Sequence, residues 1–321
     1  VRTYPSLMGT PLEKDLLEWH YTGQLARIDV ENRRVVNIGE PTMVRSVNAS
    51  HDGEYFRVSR SVRPFSYIVP ASNIGRVEEL WDLDGNVLDT LSENELNTAV
   101  RNSDQGDDDD EEEDPRRNMA WAPDGNGLIY LEREPAPDST EADSADAPAE
   151  EEEGAGRQRQ RRMDRVIRWV PPFGEDDTEV IYETSSQISS ARFSEDMTIL
   201  FGTERGGGGG GQQAAAAPGG RGGGGGSTST YAVFLDNPEE KFTIFSFNSE
   251  DFYENPGSLL SDGMRLGGGG GGFGGRGGGG GSGTVRVSAD GEHVFLQGTQ
   301  YNENPEEVGP FAFIDMVNIR D

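Results

Sequence analysis

The chain has no cysteine in its 321 residues. That excludes disulfides, thiolate metal sites and a thiol nucleophile. It fits a reduced compartment, or a secreted bacterial domain whose core needs no cross-links. No run of about 18 apolar residues occurs, so no membrane span is expected. Histidine is scarce, with 3 copies, and so is positive charge, with 28 Lys and Arg against 58 Asp and Glu. A formal charge of −30 opposes binding to a phosphate backbone, so no nucleic-acid partner is expected.

The acidity is concentrated. One run from Asp104 to Asp114 holds nine carboxylates, and Glu134 to Glu153 holds nine more, 18 of the 30 excess charges. These runs belong to four segments unsuited to a core: 102–117, 134–162, 206–229 and 267–283. The last two hold 27 of the 45 glycines, and both contain GGRGGGGGS. Glycine loses the most backbone entropy on folding and buries nothing, so all four segments read as disordered loop inserts. Each glycine tract has one arginine, Arg221 or Arg276, too few for an RNA-binding arm in so acidic a chain. The run Arg157, Arg159, Arg161, Arg162, Arg165 reads as pairing with the glutamates before it. DDDDEEED has charge but lacks the ligand spacing and sharp turn of a calcium loop, so no metal or other cofactor is expected.

Without the inserts a repeat emerges. SHDGEYFRVS (Ser50 to Ser59), APDGNGLIYL (Ala122 to Leu131), SEDMTILFGT (Ser194 to Thr203) and SADGEHVFLQ (Ser288 to Gln297) share one pattern. Each is a strand end, a tight turn and a β-branched or aromatic strand. Asp-Gly suits the turn because glycine tolerates positive φ. The third copy has Asp196-Met197, so its turn is expected to differ. Each unit precedes a second strand pair, in Val77 to Leu91, Arg165 to Thr184, Thr230 to Phe247 and Phe311 to Ile319; Leu25 to Gly39 resembles such a pair lacking its first half. The turn aspartates Asp52, Asp124, Asp196 and Asp290 lie 72, 72 and 94 residues apart. Subtracting the inserts leaves roughly 43 to 56, near the period of a four-stranded propeller blade.

The reading is therefore all-β: a partial β-propeller of about four to five four-stranded blades, occupying 1–321. Antiparallel strands a to d put the a–b turns on one face and the b–c and d–a connections on the other. Tracts 134–162 and 206–229 fall in b–c connections, 102–117 and 267–283 in d–a connections. VRPFSYIVP, Val62 to Pro70, is also a b–c connection but the reverse of a loose insert. Its two prolines stiffen it, and Phe65, Tyr67 and Ile68 are too apolar to stay exposed without a partner.

These residues bear a likeness. YPSLMGTPLEKDLLEWHYTGQLARIDV, VRSVNASHDGEYFRVSRSVRPFSYIVP and VEELWDLDG resemble the propeller region of glutamyl endopeptidases, in the prolyl oligopeptidase family of serine peptidases. NMAWAPDG, SEDFYENPGSLLSD and GPFAFIDMVNIRD are similar to the same region continued. The resemblance implies a propeller over a C-terminal α/β-hydrolase domain carrying Ser, Asp and His, with peptides or unfolded protein as substrate and cleavage after Glu or Asp. None of that triad is expected here. No Gly-x-Ser-x-Gly elbow occurs, and His20, His51 and His293 lie outside triad-like settings. The catalytic domain is thus expected to be absent from this chain, which reads as a piece of a longer protein.

In such an architecture the b–c face meets the active site. Arg63, with Arg45 and Arg60 nearby in sequence, offers a cation to an acidic side chain, and Phe65 and Tyr67 belong to the same surface. The other reading of this segment is packing without substrate contact. The alternative for the whole chain is a stand-alone propeller scaffold without catalytic activity. A periplasmic or secreted setting is favoured over a cytoplasmic one.

Overall fold

The computed structural model describes residues 8–69, 73–97, 116–134, 162–205, 227–248, 252–262, 283–302, 304 and 306–320. Most of the four expected inserts lies outside the described residues. Where their ends are described, some are strand: Arg116 and Arg117 open one strand, and Ser227 to Ser229 open another. The chain divides into two compact units, Val1–Arg116 with Pro171–Asp177, and Arg117–Val170 with Thr178–Asp321.

The first unit begins with helix α1 (Pro11–Tyr21). Thr10 caps it, accepting the Glu13 N–H while the Glu13 carboxylate takes the Thr10 N–H at 3.0 Å. Pro11 at the first helical position needs no N–H there. Strands β1 (Gly23–Ile28) and β2 (Val35–Thr42) form a two-stranded sheet, the pair expected at Leu25 to Gly39. Strands β3 (Val44–Ala49), β4 (Tyr55–Ser61), β5 (Arg76–Asp82) and β6 (Val87–Asn94) form a four-stranded sheet in that order. Ile38, Val58 and Trp81 make one small core, and Met8, Met43, Phe65 and Ile74 another.

The second unit repeats the sheet. Strands β7 (Arg116–Trp121), β8 (Leu128–Arg133), β9 (Asp164–Trp169) and β10 (Thr178–Thr184) form one; β11 (Ile188–Phe193), β12 (Ile199–Arg205), β13 (Ser227–Phe234) and β14 (Lys241–Asn248) form the next. Each is an antiparallel meander, as β-propeller blades are. The period-2 alternation of a strand divides the core between neighbours. Leu200, Tyr231 and Val233 join Leu131, Val166 and Tyr182 on one side, while Ile199, Phe201 and Ala232 join Leu296 and Ile319 on the other. Gly202 permits this, since a Cβ there would lie 2.2 Å from the Tyr231 ring.

Among the described residues the last sheet has three strands, β15 (Ser258–Leu259), β16 (His293–Gln300) and β17 (Phe311–Asn318). Two expectations fail here. Phe311 to Ile319 is one strand rather than a pair, because Phe311 to Asn318 run continuously against β16. The tract 267–283 does not join two sheets. It falls between two pieces that pair along the same edge of β16, since Leu259 pairs with Leu296 before it and Val287 bridges Val294 after it.

The four turns are one device. Gly53, Gly125, Met197 and Gly291 all take positive φ, at 72°, 79°, 57° and 76°. In each, that residue's N–H donates to the carbonyl three residues earlier, at 2.9 to 3.0 Å. The expected exception at Met197 does not occur. Its side chain, 9% exposed in the apolar core, gains enough from burial to offset the left-handed backbone. In three copies a serine hydroxyl, from Ser50, Ser194 or Ser288, donates to the turn aspartate and accepts the N–H five residues on. Ala122 lacks that hydroxyl, and Asp124 is held by Arg168 instead.

Candidate substrate-side surface

The connection from β4 to β5 leaves the first complete sheet at the end opposite its Asp52 turn, as expected of Val62 to Pro70. α1 lies against it with a mixed face inward. Leu17 packs on the Met8, Met43, Phe65 and Ile74 cluster, and Lys14 and Glu18 face the protein beside it. Lys14 Nζ donates to the Phe65 carbonyl at 2.6 Å and stands 3.4 Å from the centre of the Tyr67 ring. Glu18 and Asp15 both meet the Arg63 guanidinium. Leu12, Leu16 and Trp19 face solvent, with Trp19 73% exposed. An amphipathic helix normally buries its apolar stripe.

The five candidate residues are brought into one region, in different states. Phe65 is buried among Met8, Met43 and Ile74, with the Arg63 guanidinium 4.9 Å from its ring centre. Tyr67 and Ile68, expected to be covered, are 43% and 64% exposed. Lys14 meets the Tyr67 face, through the attraction of a cation for a ring quadrupole. Arg45 reaches the Ser61 hydroxyl at 3.5 Å. Arg60 makes a two-pronged pair with Glu79, at 2.9 and 2.6 Å, and Trp81 Nε1 donates to the same carboxylate at 2.9 Å. Hydrogen bonding to Glu79 holds Arg60 above its ordinary range against the opposing effect of burial. Burial is the largest influence on Glu79 and pushes its carboxyl up, yet the hydrogen bonds from Arg60 and Trp81 together hold it below 4.5.

Arg63 differs from Arg60 in being open. Its side chain is 54% exposed, and the Glu18 hydrogen bond raises its pKa further. The same bond lowers that of Glu18. An open groove of about 260 Å³ lies beside them, lined by Glu18, Thr22, Met43, Arg60, Ser61 and Arg63. It offers guanidinium groups and hydroxyls, which suits an anionic or hydrogen-bonding guest. Sequence alone pointed to these arginines but not to their partners, because Glu18 lies 45 residues from Arg63.

Among the described residues, His20 and His293 lack catalytic partners of the right geometry. His20 stacks edge-on against Trp19 at 4.8 Å. His293 Nδ1 lies 3.6 Å from Asp290, whose carboxylate accepts from Ser288. The letters are those of a triad, but the Ser288 hydroxyl donates to the aspartate and accepts the His293 backbone N–H. In a triad the serine hydroxyl donates to the imidazole, not to the carboxylate. These residues build a turn.

The sheets define the class first: these are β-propeller blades. The comparisons then narrow it. No protein-family model matches the chain. It is 28% identical over 134 residues to the probable glutamyl endopeptidase, chloroplastic, of Oryza sativa subsp. japonica, covering 40% of this chain and 13% of that protein. It is 31% identical over 91 residues to the protein of the same name from Arabidopsis thaliana, covering 28% of this chain and 9% of that one. The chain thus matches only a small part of these relatives' length. The resemblance to glutamyl endopeptidases read from the sequence is borne out. Similar solved structures include the β-propeller domain of the trilobed protease from Pyrococcus furiosus, at 11% identity and TM-score 0.36, covering 93% of this chain and 64% of that one. Pyrococcus horikoshii acylaminoacyl peptidase is another, at 11% identity and TM-score 0.35, with 93% and 35% covered. Among the described residues, no helix is long and apolar enough to cross a membrane.

Proposed function

We propose that these residues are the propeller part of a serine endopeptidase that cleaves after Glu or Asp, with a hydrolase domain supplied elsewhere in the polypeptide. The propeller admits and positions peptide or unfolded substrate for that domain. The observation that carries this reading is the outward apolar stripe of α1. α1 turns Lys14, Asp15 and Glu18 onto the β4–β5 connection and leaves Leu12, Leu16 and Trp19 outward. A contiguous apolar surface of this kind marks a contact site, and the catalytic domain is the partner this reading assigns to it.

Arg63 is the residue that reads the acidic side chain. Glu18 holds the guanidinium in the manner a substrate carboxylate would, so binding exchanges one carboxylate for another. Such an exchange between exposed groups costs little, because water screens surface ion pairs. Arg60 is committed to Glu79 and stiffens the floor beneath.

The test uses the longer polypeptide that carries these residues. It should take a fluorophosphonate label on one serine and cleave peptides after Glu at least about tenfold faster than after Gln. Absence of label and of cleavage would refute the reading.

A further inference from the structure

The repeat places an arginine at the same point of the first two complete sheets. Arg45 stands five residues before Ser50 at its turn, and Arg117 five before Ala122 at the next. In the second sheet this arginine is neutralised. Arg117 donates to Asp164, a carboxylate with 0% exposure that begins β9 opposite Arg133. In the first sheet the position of Asp164 in the register, opposite Ser61, is held by Arg76. A second cation thus stands where the repeat elsewhere supplies the anion.

A local irregularity aims Arg45. Val44 pairs with Arg60 and Ser46 with Ser59, so Arg45 is an extra residue in β3. A bulge of this kind redirects the side chain it carries. Arg45 Nη1 donates to the Ser61 hydroxyl at 3.5 Å, a weak bond at that length. Directly opposed residues of an antiparallel pair share a face, so Arg45, Ser61 and Arg76 lie on one side of the sheet. Both arginines are exposed, and among the described residues neither has a carboxylate partner. Glu78, two residues beyond Arg76 and on the same face, is taken by Arg57 at 2.6 Å. Strands β3 and β5 flank β4 and lie about 10 Å apart, a span that two arginine side chains close around one carboxylate. The Ser61 hydroxyl between them accepts from Arg45 and keeps its own proton for a guest.

We propose that Arg45, Ser61 and Arg76 form a carboxylate-binding site for an acidic peptide, at the end of the sheet where the Val62 to Pro70 connection leaves. The guest supplies from outside the group that Asp164 supplies to Arg117. Each guanidinium offers paired N–H donors that match the two oxygens of a carboxylate, and the Ser61 hydroxyl donates between them. The site is separate from Arg63, which Glu18 holds. That the carboxylate belongs to a substrate peptide rests on the functional reading, whereas binding itself needs no catalytic domain.

The experiment is calorimetric titration of residues 1–321 with unlabelled peptides at about 0.1 M salt, where charge is screened beyond about 10 Å. The probes are a peptide with one Glu and blocked ends, its Gln counterpart, and that Gln peptide with a free C-terminal carboxylate. A carboxylate peptide should bind and the blocked Gln peptide should not. The tighter of the two carboxylate peptides identifies the source as a side chain or a chain end. Arg45→Gln and Arg76→Gln should each weaken binding about tenfold, the loss expected for a hydrogen bond to a charged group. Arg76→Asp rebuilds the pairing of Arg117 with Asp164 and should abolish binding, with a cooperative melt showing that the variant is folded. Arg27→Gln, at an exposed position of β1, should leave binding unchanged.

No binding of either carboxylate peptide would overturn the proposal, as would undiminished binding by Arg76→Asp or equal weakening by Arg27→Gln. Loss of binding on Arg63→Ala with none on Arg45→Gln would overturn it and leave the functional reading standing. Binding that depends on Arg45 and Arg76, with no cleavage by the longer polypeptide, would support the site and refute only the peptidase reading.

Discussion

At the scale of single residues, Arg60 and Arg63 show how the same residue type sits in two settings, one paired with Glu79 and one open. The Glu79 side chain is 6% exposed and holds both Arg60 and Trp81. Glu79→Ala leaves a guanidinium and an indole N–H without their acceptor. Breaking a buried pair costs about 3–5 kcal/mol; Arg60 keeps 30% exposure, so a loss of about 1–3 kcal/mol is expected in urea unfolding. The pH dependence has a definite sign. Glu79 is held below 4.5 in the folded chain, so its contribution is full above that value and is lost as pH falls through the folded pKa. Asp52, Asp196 and Asp290 act in the same sense. The Glu54 N–H and Ser50 hydroxyl lower Asp52, the Ser194 hydroxyl lowers Asp196 and the Ser288 hydroxyl lowers Asp290, all below 3.8. Thermal melts should therefore show stability falling as pH drops below about 4.5, and Glu79→Ala should flatten the upper part of that fall.

At the scale of elements, the turns and the joints between sheets decide the outcome. Met197→Gly relieves a positive φ worth about 1–2 kcal/mol, but it removes a buried side chain whose loss costs about 2–5 kcal/mol. The variant is expected to be less stable than the parent by about 1–3 kcal/mol, and a more stable variant would show that burial does not hold this turn. Between sheets, Asp164 is 0% exposed. It accepts Arg117 Nη2 at 2.5 Å and the Ile188 N–H at 2.7 Å, tying β9 to β11. Asp164→Ala should cost about 3 kcal/mol, read from the midpoint of chemical denaturation.

Much at this scale was legible in the sequence. The Asp-Gly turns and the alternating strands are local signals, carried by residues a few positions apart. What the sequence misplaced was non-local or compensated. Met197 departs from the glycine pattern, but its burial in the core makes the same turn affordable. Phe311 to Ile319 looks like a pair because nothing local marks where a strand stops pairing. Tract 267–283 falls inside a strand position because Val287 resumes the ladder that Leu259 began. Arg117 sat in an apparent insert because its partner Asp164 lies 47 residues away.

At the scale of the molecule, the likeness to glutamyl endopeptidases rests on stretches that include the blade turns and the run through Arg63. The position of the run was legible, because a b–c connection follows from strand order alone. Its chemistry was only half legible. Arginine and aromatic residues announce a recognition surface, but their exposure depends on which side of α1 turns inward. The hydrophobic pattern of Leu12, Leu16 and Trp19 would ordinarily place that face against the core. Instead Leu17 packs inward, with Lys14 and Glu18 beside it binding the Phe65 carbonyl and Arg63.

The most direct test compares paired peptides that differ only by Glu or Gln before the scissile bond, on the longer polypeptide with and without Arg63→Ala. The account predicts that kcat/KM for the Glu peptide falls by about tenfold or more while the Gln peptide changes little. An equal fall for both, or no fall for either, would contradict the role given to Arg63 and to the surface that carries it.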